Sequence, residues 1–469
     1  MPNIRQFWNA SRRLKIGVFS LLTLCIGLVA AFQNAFAFPV GGEQTTLPVG
    51  TELNEDAIDL PREVFHSEMS GGRKSYIVNL GDLAFNAPDI LGGAARQAGI
   101  SCGSCHVNGA ANPKLFVPGM STHPGNFDTT GHLFNPKADN FAFDPVRIPS
   151  LRGARYLAPY GNDGRMASLR DFIHNVIVVE FSGPEPSPAI LDAMVAYIQD
   201  IDFLPNPSLE PSGKLSSRTS EAERRGEVLF NRPFPHDPTL SCAGCHVPSA
   251  AFVDHQQHDI GSGGLYKTPT LLNADFNGPY FHDGRFNSYG QVVDFFNQKF
   301  DLGFSDQEQK DLVAYLTAVG DGVRALEREG SVAKFKEVSD FASVLSTAIS
   351  AHDNDVINLA TETVGNELRE LVDDIPDQRD NTVGGGEKQR NLARMALKEV
   401  VLILRRIQLD TEIGNYADVA NEYRMYNRFM TAAVPTIVGQ AEPWTLLNPA
   451  VHDAHYAALR QLLNQKASR

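Results

Sequence analysis

Two pentads of one pattern carry the most specific chemistry in this chain: Cys102-Gly103-Ser104-Cys105-His106 and Cys242-Ala243-Gly244-Cys245-His246. Each reads C-x-x-C-H, in which two thiols can add across the vinyl groups of a porphyrin while the adjacent imidazole takes the proximal position on its iron. Cys102, Cys105, Cys242 and Cys245 are thus candidate attachment points for two covalently bound haem c groups, with His106 and His246 as metal ligands. Thiols alone are also compatible with a zinc site or a redox dithiol. Zinc would have to gather four ligands from two distant pentads, and a dithiol does not require the histidine that follows both times. The fifth of the 5 cysteines, Cys25, lies in an apolar run near the N-terminus, so no thiol remains for a disulfide.

The elements around the pentads repeat as well. Ile148-Pro149-Ser150-Leu151 and Pro159-Tyr160-Gly161-Asn162-Asp163-Gly164-Arg165 are echoed 120 residues later by Thr268-Pro269-Thr270-Leu271 and Pro279-Tyr280-Phe281-His282-Asp283-Gly284-Arg285. A helical pattern follows each, and Met194-Val195-Ala196-Tyr197-Ile198 is echoed by Leu312-Val313-Ala314-Tyr315-Leu316. One unit therefore occurs twice. The pentads lie 140 residues apart, so the first copy holds about twenty extra residues between pentad and P-[ST]-L segment, in a stretch broken by Pro113, Pro118, Pro124 and Pro136.

Ahead of the first pentad the pattern predicts a short strand at 76–80 and a weak helix over 89–97. A Pro- and Ser-rich stretch from Leu204 to Ser220 reads as a linker. Ser220-Glu221-Ala222-Glu223 opens a helix toward Phe230 in capping-box style. Beyond about Val323 no third pentad occurs, and helical periodicity (Leu392, Met395, Leu402, Ile403) predicts a helical module of unassigned role.

At 469 residues the chain can bury two or three cores. Arg5, Arg12, Arg13 and Lys15, an apolar run from Ile16 to Phe32, and Ala35-Phe36-Ala37 form a secretory signal over 1–37, which implies the periplasm in a bacterium. A retained membrane anchor is the alternative, because the apolar run approaches spanning length. Net charge is −14, and loss of those four cations, with no acid in the segment, leaves −18. Nucleic acid is excluded as a partner on that balance, and a small electron carrier with a basic surface fits it. Acidity that only keeps an exported protein soluble is the plainer alternative.

Two C-x-x-C-H pentads, each followed by T/S-L and PY-x-x-DG segments, resemble the di-haem cytochrome c peroxidase and MauG family over roughly 92–320. The resemblance implies a mainly α fold, with cytochrome c-type haem domains at 38–205 and 206–323 ahead of the α-helical module at 324–469. It implies a peroxide-reacting first iron, an electron-accepting second iron, hydrogen peroxide as substrate, and a small cytochrome or cupredoxin as donor.

The chain departs from that family on the side opposite the proximal histidines. The second iron's expected Met or Tyr falls on Phe296, which cannot coordinate; Tyr289 and His258 are the nearest replacements. The inter-haem tryptophan falls on Asn162, the distal glutamine on Phe172, and the calcium-binding asparagine on Arg147, so calcium is uncertain. On the predicted helix from Leu169 to Phe181, Glu180 shares the face of Leu169, Phe172, Ile173, Val176 and Ile177. There, among apolar neighbours with a raised pKa, it is the candidate distal acid and base; its plainer role is to finish the helix. His174 points away from that face. His123 resembles the family's removable sixth ligand, with a surface loop histidine as the alternative. His282, present only in the second copy, is a candidate for propionate contact or catalysis. Two further readings stand beside a peroxidase: a non-enzymatic electron-transfer cytochrome, and MauG-like oxidation of an organic or protein substrate.

Overall fold

The computed structural model describes residues 47–53, 60–135, 139–323, 330–377, 380 and 382–467. The expected signal segment with Cys25, and Pro136, lie outside them. The described chain is mainly helical, with two short antiparallel ribbons as its regular β-structure.

Each repeat is framed by two crossed helices. In the first these are α1 (Tyr76–Phe85) and, after α2 (Leu169–Asn175), α3 (Pro188–Asp200). In the second they are α4 (Glu221–Asn231) and, after α5 (Tyr289–Lys299), α6 (Asp306–Gly320). Backbones meet at one glycine per crossing. A Cβ on Gly81 would lie 1.9 Å from the Ala193 carbonyl, and one on Gly226 would lie 2.1 Å from that of Asp311. Four residues after each glycine comes a phenylalanine that packs on the tyrosine of the partner helix: Phe85 on Tyr197 at 5.1 Å and Phe230 on Tyr315 at 4.9 Å.

The expected strand at 76–80 is instead the first half of α1. Ser75 caps it by accepting from the Val78 N–H, and burial of Val78, Leu80, Leu83 and Ala84 outweighs the β-preference of Tyr76-Ile77-Val78. The expected helix over 89–97 is two single turns, Pro88–Leu91 and Gly93–Gln97, parted at Gly92, whose φ is 59°. α4 begins with the anticipated capping box, Ser220 and Glu223 bonding reciprocally.

The Leu204 to Ser220 stretch is irregular yet pinned to the second repeat. Leu204 N–H donates to Asn273 Oδ1 (2.8 Å), Asn206 Nδ2 donates to the carbonyls of Ala318, Val319 and Asp321, and Leu215 enters the second repeat's core.

Each repeat carries one ribbon: β1 (Asn126–Phe127) with β2 (Val146–Arg147), and β3 (Gln257–His258) with β4 (Tyr266–Lys267). From Ser331 onward the described residues form helices α7 (Ser331–Ala342), α8 (Val344–Ala351), α9 (Asn354–Asp373), α10 (Glu387–Glu412), α11 (Tyr416–Arg428), α12 (Val434–Ala441) and α13 (Pro449–Ala467). Their shared core includes Phe341, Leu368, Leu397 and Ile403, and extends to Leu80, Leu83 and Ala193 of the first repeat.

Candidate functional site

Each pentad is a single helical turn closed by its own N-cap. Ser101 caps the first, with its N–H donating to Ser104 Oγ (3.1 Å), and Ser241 Oγ accepts from Gly244 N–H (3.0 Å) in the second. One turn sets the two thiols on one side and delivers the histidine at the C-cap. None of the four thiols is in a disulfide. Burial pushes those of Cys102 and Cys242 up to about 12, and burial followed by the charge of Asp254 raises that of Cys245. Burial also lowers His106 to about 4 and lowers His246, so both rings are neutral at pH 7.

His246 Nδ1 donates to the Phe252 carbonyl (3.2 Å), which leaves the Nε2 lone pair free; His106 Nδ1 is buried without a hydrogen-bond partner. Phe85 lies 6.4 Å from His106 and Phe230 6.4 Å from His246, so each imidazole rests on the helix crossing of its repeat. Cysteines and histidines alike keep accessible surface despite this desolvation, as groups do when they face an internal space. Thiols one turn apart and outside any disulfide, beside a neutral imidazole, fit a thioether-bound haem in both repeats.

Cys245, Asp254 and His258 also cluster, their ligand atoms within 4.8 Å of one another. His258 Nε2 lies 2.6 Å from Asp254 Oδ2 beside this pentad thiol, so the ring is occupied there and is not placed as a replacement sixth ligand.

α2 continues through a π-turn, Val176–Glu180, closed by Phe181 N–H donating to the Val176 carbonyl (3.0 Å). The wider turn swings Glu180 out of the apolar row. Its carboxylate does not sit among apolar neighbours as expected. It accepts from Arg165 Nη2, from Asn175 Nδ2 (3.1 Å) and from Thr129 Oγ1 (3.0 Å). Arg165, the last residue of the first PY-x-x-DGR segment, also contacts Asp163 (3.1 Å) and lies 5.3 Å over the Phe172 ring. These partners of Glu180 were missed. The repeated arginine was their one visible signal, because Thr129 and Asn175 arrive through the fold.

The second repeat is built differently at the same places. With the 120-residue offset, Glu180 corresponds to Phe300 and Val176 to Phe296. Phe300 and Phe296 stack at 6.0 Å, and Phe296 packs further on Phe281 and Phe295. Arg285, equivalent to Arg165, turns to Asp283 and the Ser262 carbonyl. The ring of His282 stacks on Tyr266 at 3.7 Å, and its pKa is lowered by burial against the opposing charge of Asp283. Tyr289 stacks on Tyr280 at 4.9 Å.

His123 turns both ring nitrogens to protein partners: Nδ1 donates to the Pro124 carbonyl (3.0 Å) and Nε2 accepts from Asn126 Nδ2 (3.2 Å). Its ring fills the space a Cβ on Gly284 would need. Here it belongs to the contact with the second repeat's turn. His174 pairs with Glu185 at 2.9 Å.

Fold and site together define a mainly helical protein in which a unit carrying a C-x-x-C-H pentad occurs twice. Residues 221–356 match the family model of di-haem cytochrome c peroxidase. It is similar to the hydrazine synthase subunit gamma of Kuenenia stuttgartiensis, 25% identical over 383 residues, which is 66% of this chain and 98% of that one. It is 27% identical to the methylamine utilization protein MauG of Methylophilus methylotrophus over 139 residues, 23% of this chain and 39% of that one. It is 41% identical to a cytochrome c peroxidase of Escherichia coli (strain K12) over 64 residues, 13% of this chain and 14% of that one. No helix among the described residues is long and apolar enough to cross a membrane.

Proposed function

We propose that the protein is an exported di-haem c-type cytochrome oxidoreductase that reduces hydrogen peroxide with electrons from a small cytochrome or cupredoxin. The observation that carries this reading is the asymmetry between equivalent positions: a hydrogen-bonded carboxylate, Glu180, in the first repeat and a phenyl ring, Phe300, in the second. In this reading 38–205 and 206–323 are the two haem domains, anchored at Cys102 and Cys105 and at Cys242 and Cys245. His106 and His246 are the proximal ligands. Haem iron supplies peroxide binding and one-electron steps.

One peroxide takes up two electrons and two protons and leaves as two waters. Glu180 accepts the proton of one peroxide oxygen and returns it to the other, while Arg165 and Asn175 hold the carboxylate in place. Phe296 and Phe300 keep water and external ligands from the open side of the second site, which receives electrons only. A capping role for His123 requires the ring to leave Asn126 and the Pro124 carbonyl. Export rests on the N-terminal pattern of cations, apolar run and Ala35-Phe36-Ala37.

A second reading is favoured by the alignment that runs along 98% of the hydrazine synthase subunit gamma. In it, the chain is one subunit of a larger redox enzyme rather than a free-standing peroxidase. The two separate in one experiment on the mature protein from a host that attaches c-type haem. Haems are counted per chain, and spectra are recorded with and without peroxide. A peroxidase shows two haems and one high-spin iron that reacts, and Glu180→Gln slows that reaction by about 10²- to 10⁴-fold. Two low-spin irons blind to peroxide would remove the peroxidase reading.

A further inference from the structure

The two repeats grip one another through matched contacts, and a cation stands at the centre of each. Arg147 N–H donates to the His282 carbonyl (2.7 Å), and Lys267 N–H, at the equivalent position, donates to that of Asn162 (3.0 Å). Arg147 Nη1 donates to the Asn277 carbonyl (3.0 Å), and Lys267 Nζ donates to those of Leu157 and Pro159 (2.7 Å each). Their ribbon partners repeat the theme: Asn126 Nδ2 donates to the Asp283 carbonyl (3.0 Å), and Gln257 Nε2 donates to that of Asp163. Each repeat's ribbon thus clasps the other's PY-x-x-DG turn.

Carbonyl oxygens do not neutralise a cation. Among the described residues no carboxylate pairs with Arg147 or Lys267, and the ionisable groups acting on them are Tyr280 and Arg147 itself. Burial lowers Arg147 to about 10, and burial together with the Arg147 charge lowers Lys267 to about 8. Two buried positive charges that repel one another call for an anion between or beside them. Both residues nevertheless keep accessible surface, as the pentad cysteines and histidines do. Each also stands two residues before a proline, Pro149 or Pro269, whose carbonyl lies against the imidazole of its own pentad. In extended chain that is a span of ~7 Å, with both residues on one side.

We propose that Arg147 and Lys267 are built-in counter-ions for the propionate carboxylates of the two prosthetic groups, one cation per repeat, at the contact between the repeats. The proposal rests on haem occupying both pentads. It makes both side chains positioning residues for charge: they hold the propionates across the contact and bias both irons toward the reduced state. It also gives the contact its positive charge without a metal ion.

The test uses the mature holoprotein, with two haems per chain verified by pyridine haemochrome and the fold by circular dichroism, titrated spectroelectrochemically with and without a chelator. Arg147→Gln keeps a donor for the Asn277 carbonyl but removes the charge; Lys267→Met removes the other charge. Each is expected to raise the oxidised-to-reduced ratio of a haem at least tenfold at fixed potential, 59 mV downward for a one-electron couple. Arg147→Lys should keep most of the original midpoint, and the chelator should move neither midpoint. Unchanged midpoints in folded, fully loaded Arg147→Gln and Lys267→Met overturn the proposal. So does a chelator that alone reproduces the shift, since a metal ion then supplies the charge. If Arg147→Gln does not fold, Lys267→Met and Arg147→Lys decide by the same titration. Fewer than two haems in the unaltered protein overturns the reading of the pentads, and this proposal with it.

Discussion

In the proposed peroxidase, Glu180 is the residue on which the chemistry of the first repeat turns, and its surroundings decide what it can do. Its position on α2 follows from helical spacing, but its partners come from three separate segments: Arg165 on the PY-x-x-DGR turn, Thr129 in the long loop, and Asn175 on the helix itself. Spacing cannot report the first two, which is why an apolar setting was the natural expectation and a polar one is found. Arg165 is 41% exposed and Glu180 12%, so the ion pair is screened and its loss should cost only about 1 kcal/mol of stability. Its effect on rate should be larger, because the carboxylate loses its orientation. Arg165→Leu is expected to slow the reaction with peroxide by about ten- to a hundredfold, and Arg165→Lys to recover part of that. Stopped-flow traces of both variants check this. Equal rates for Arg165→Leu and the unaltered protein would mean that Glu180 needs no guanidinium beside it.

Among the elements, the helix crossings are the most demanding. The pentads were legible because their chemistry requires fixed residue types at fixed spacing. α1 was not, because Tyr76-Ile77-Val78 carries a local preference for strand that tertiary packing overrules. A signal did exist: Gly81-x-x-x-Phe85 matches Gly226-x-x-x-Phe230, and only the crossed helices explain why. A methyl group at either glycine meets a carbonyl near 2 Å, so the helices must separate. Gly81→Ala and Gly226→Ala should each destabilise by about 3 kcal/mol, the upper end of the cost of overpacking, and should reduce haem loading as Phe85 or Phe230 leaves its histidine. Gly439→Ala, at an exposed position of α12 with nothing nearer than 3.6 Å, should instead stabilise by about 0.5–1 kcal/mol through helix propensity. Urea unfolding of the three variants gives both signs in one series. A stable, fully loaded Gly226→Ala would show that the crossing tolerates a wider separation than these distances allow.

At the scale of the whole molecule, the C-terminal helices are joined to the first repeat by charge as well as by apolar packing. Arg62 pairs with Glu337 at 3.0 Å and Arg96 with Glu362 at 3.3 Å across that contact, flanked by Lys334–Glu367 (2.8 Å) within the C-terminal helices and by Lys74–Asp82 (2.7 Å) within the first repeat, where Asp82 is only 2% exposed. None of this was visible in the sequence, which announced the helical module but not the face it uses. Asp82 makes the network sensitive to pH. Burial raises its pKa from 3.8 to about 7, with Lys74 opposing and Glu337 and Glu63 adding to the rise. Between pH 4 and 7 the folded protein therefore keeps a proton that the unfolded chain has released, so this group's stabilising contribution is complete below pH 4 and is lost as pH climbs through 7. The slope it contributes is downward, with about 1.4 kcal/mol per pH unit as the limit for one proton. Asp82→Asn cannot titrate and should resemble the unaltered protein at pH 5, where Lys74 already faces a neutral side chain. The stability of the unaltered protein minus that of the variant should then fall from pH 5 to 7 and level off above it. Urea unfolding across that range measures the difference. A constant difference would mean that Asp82 stays ionised in the fold and that Lys74 alone balances its burial.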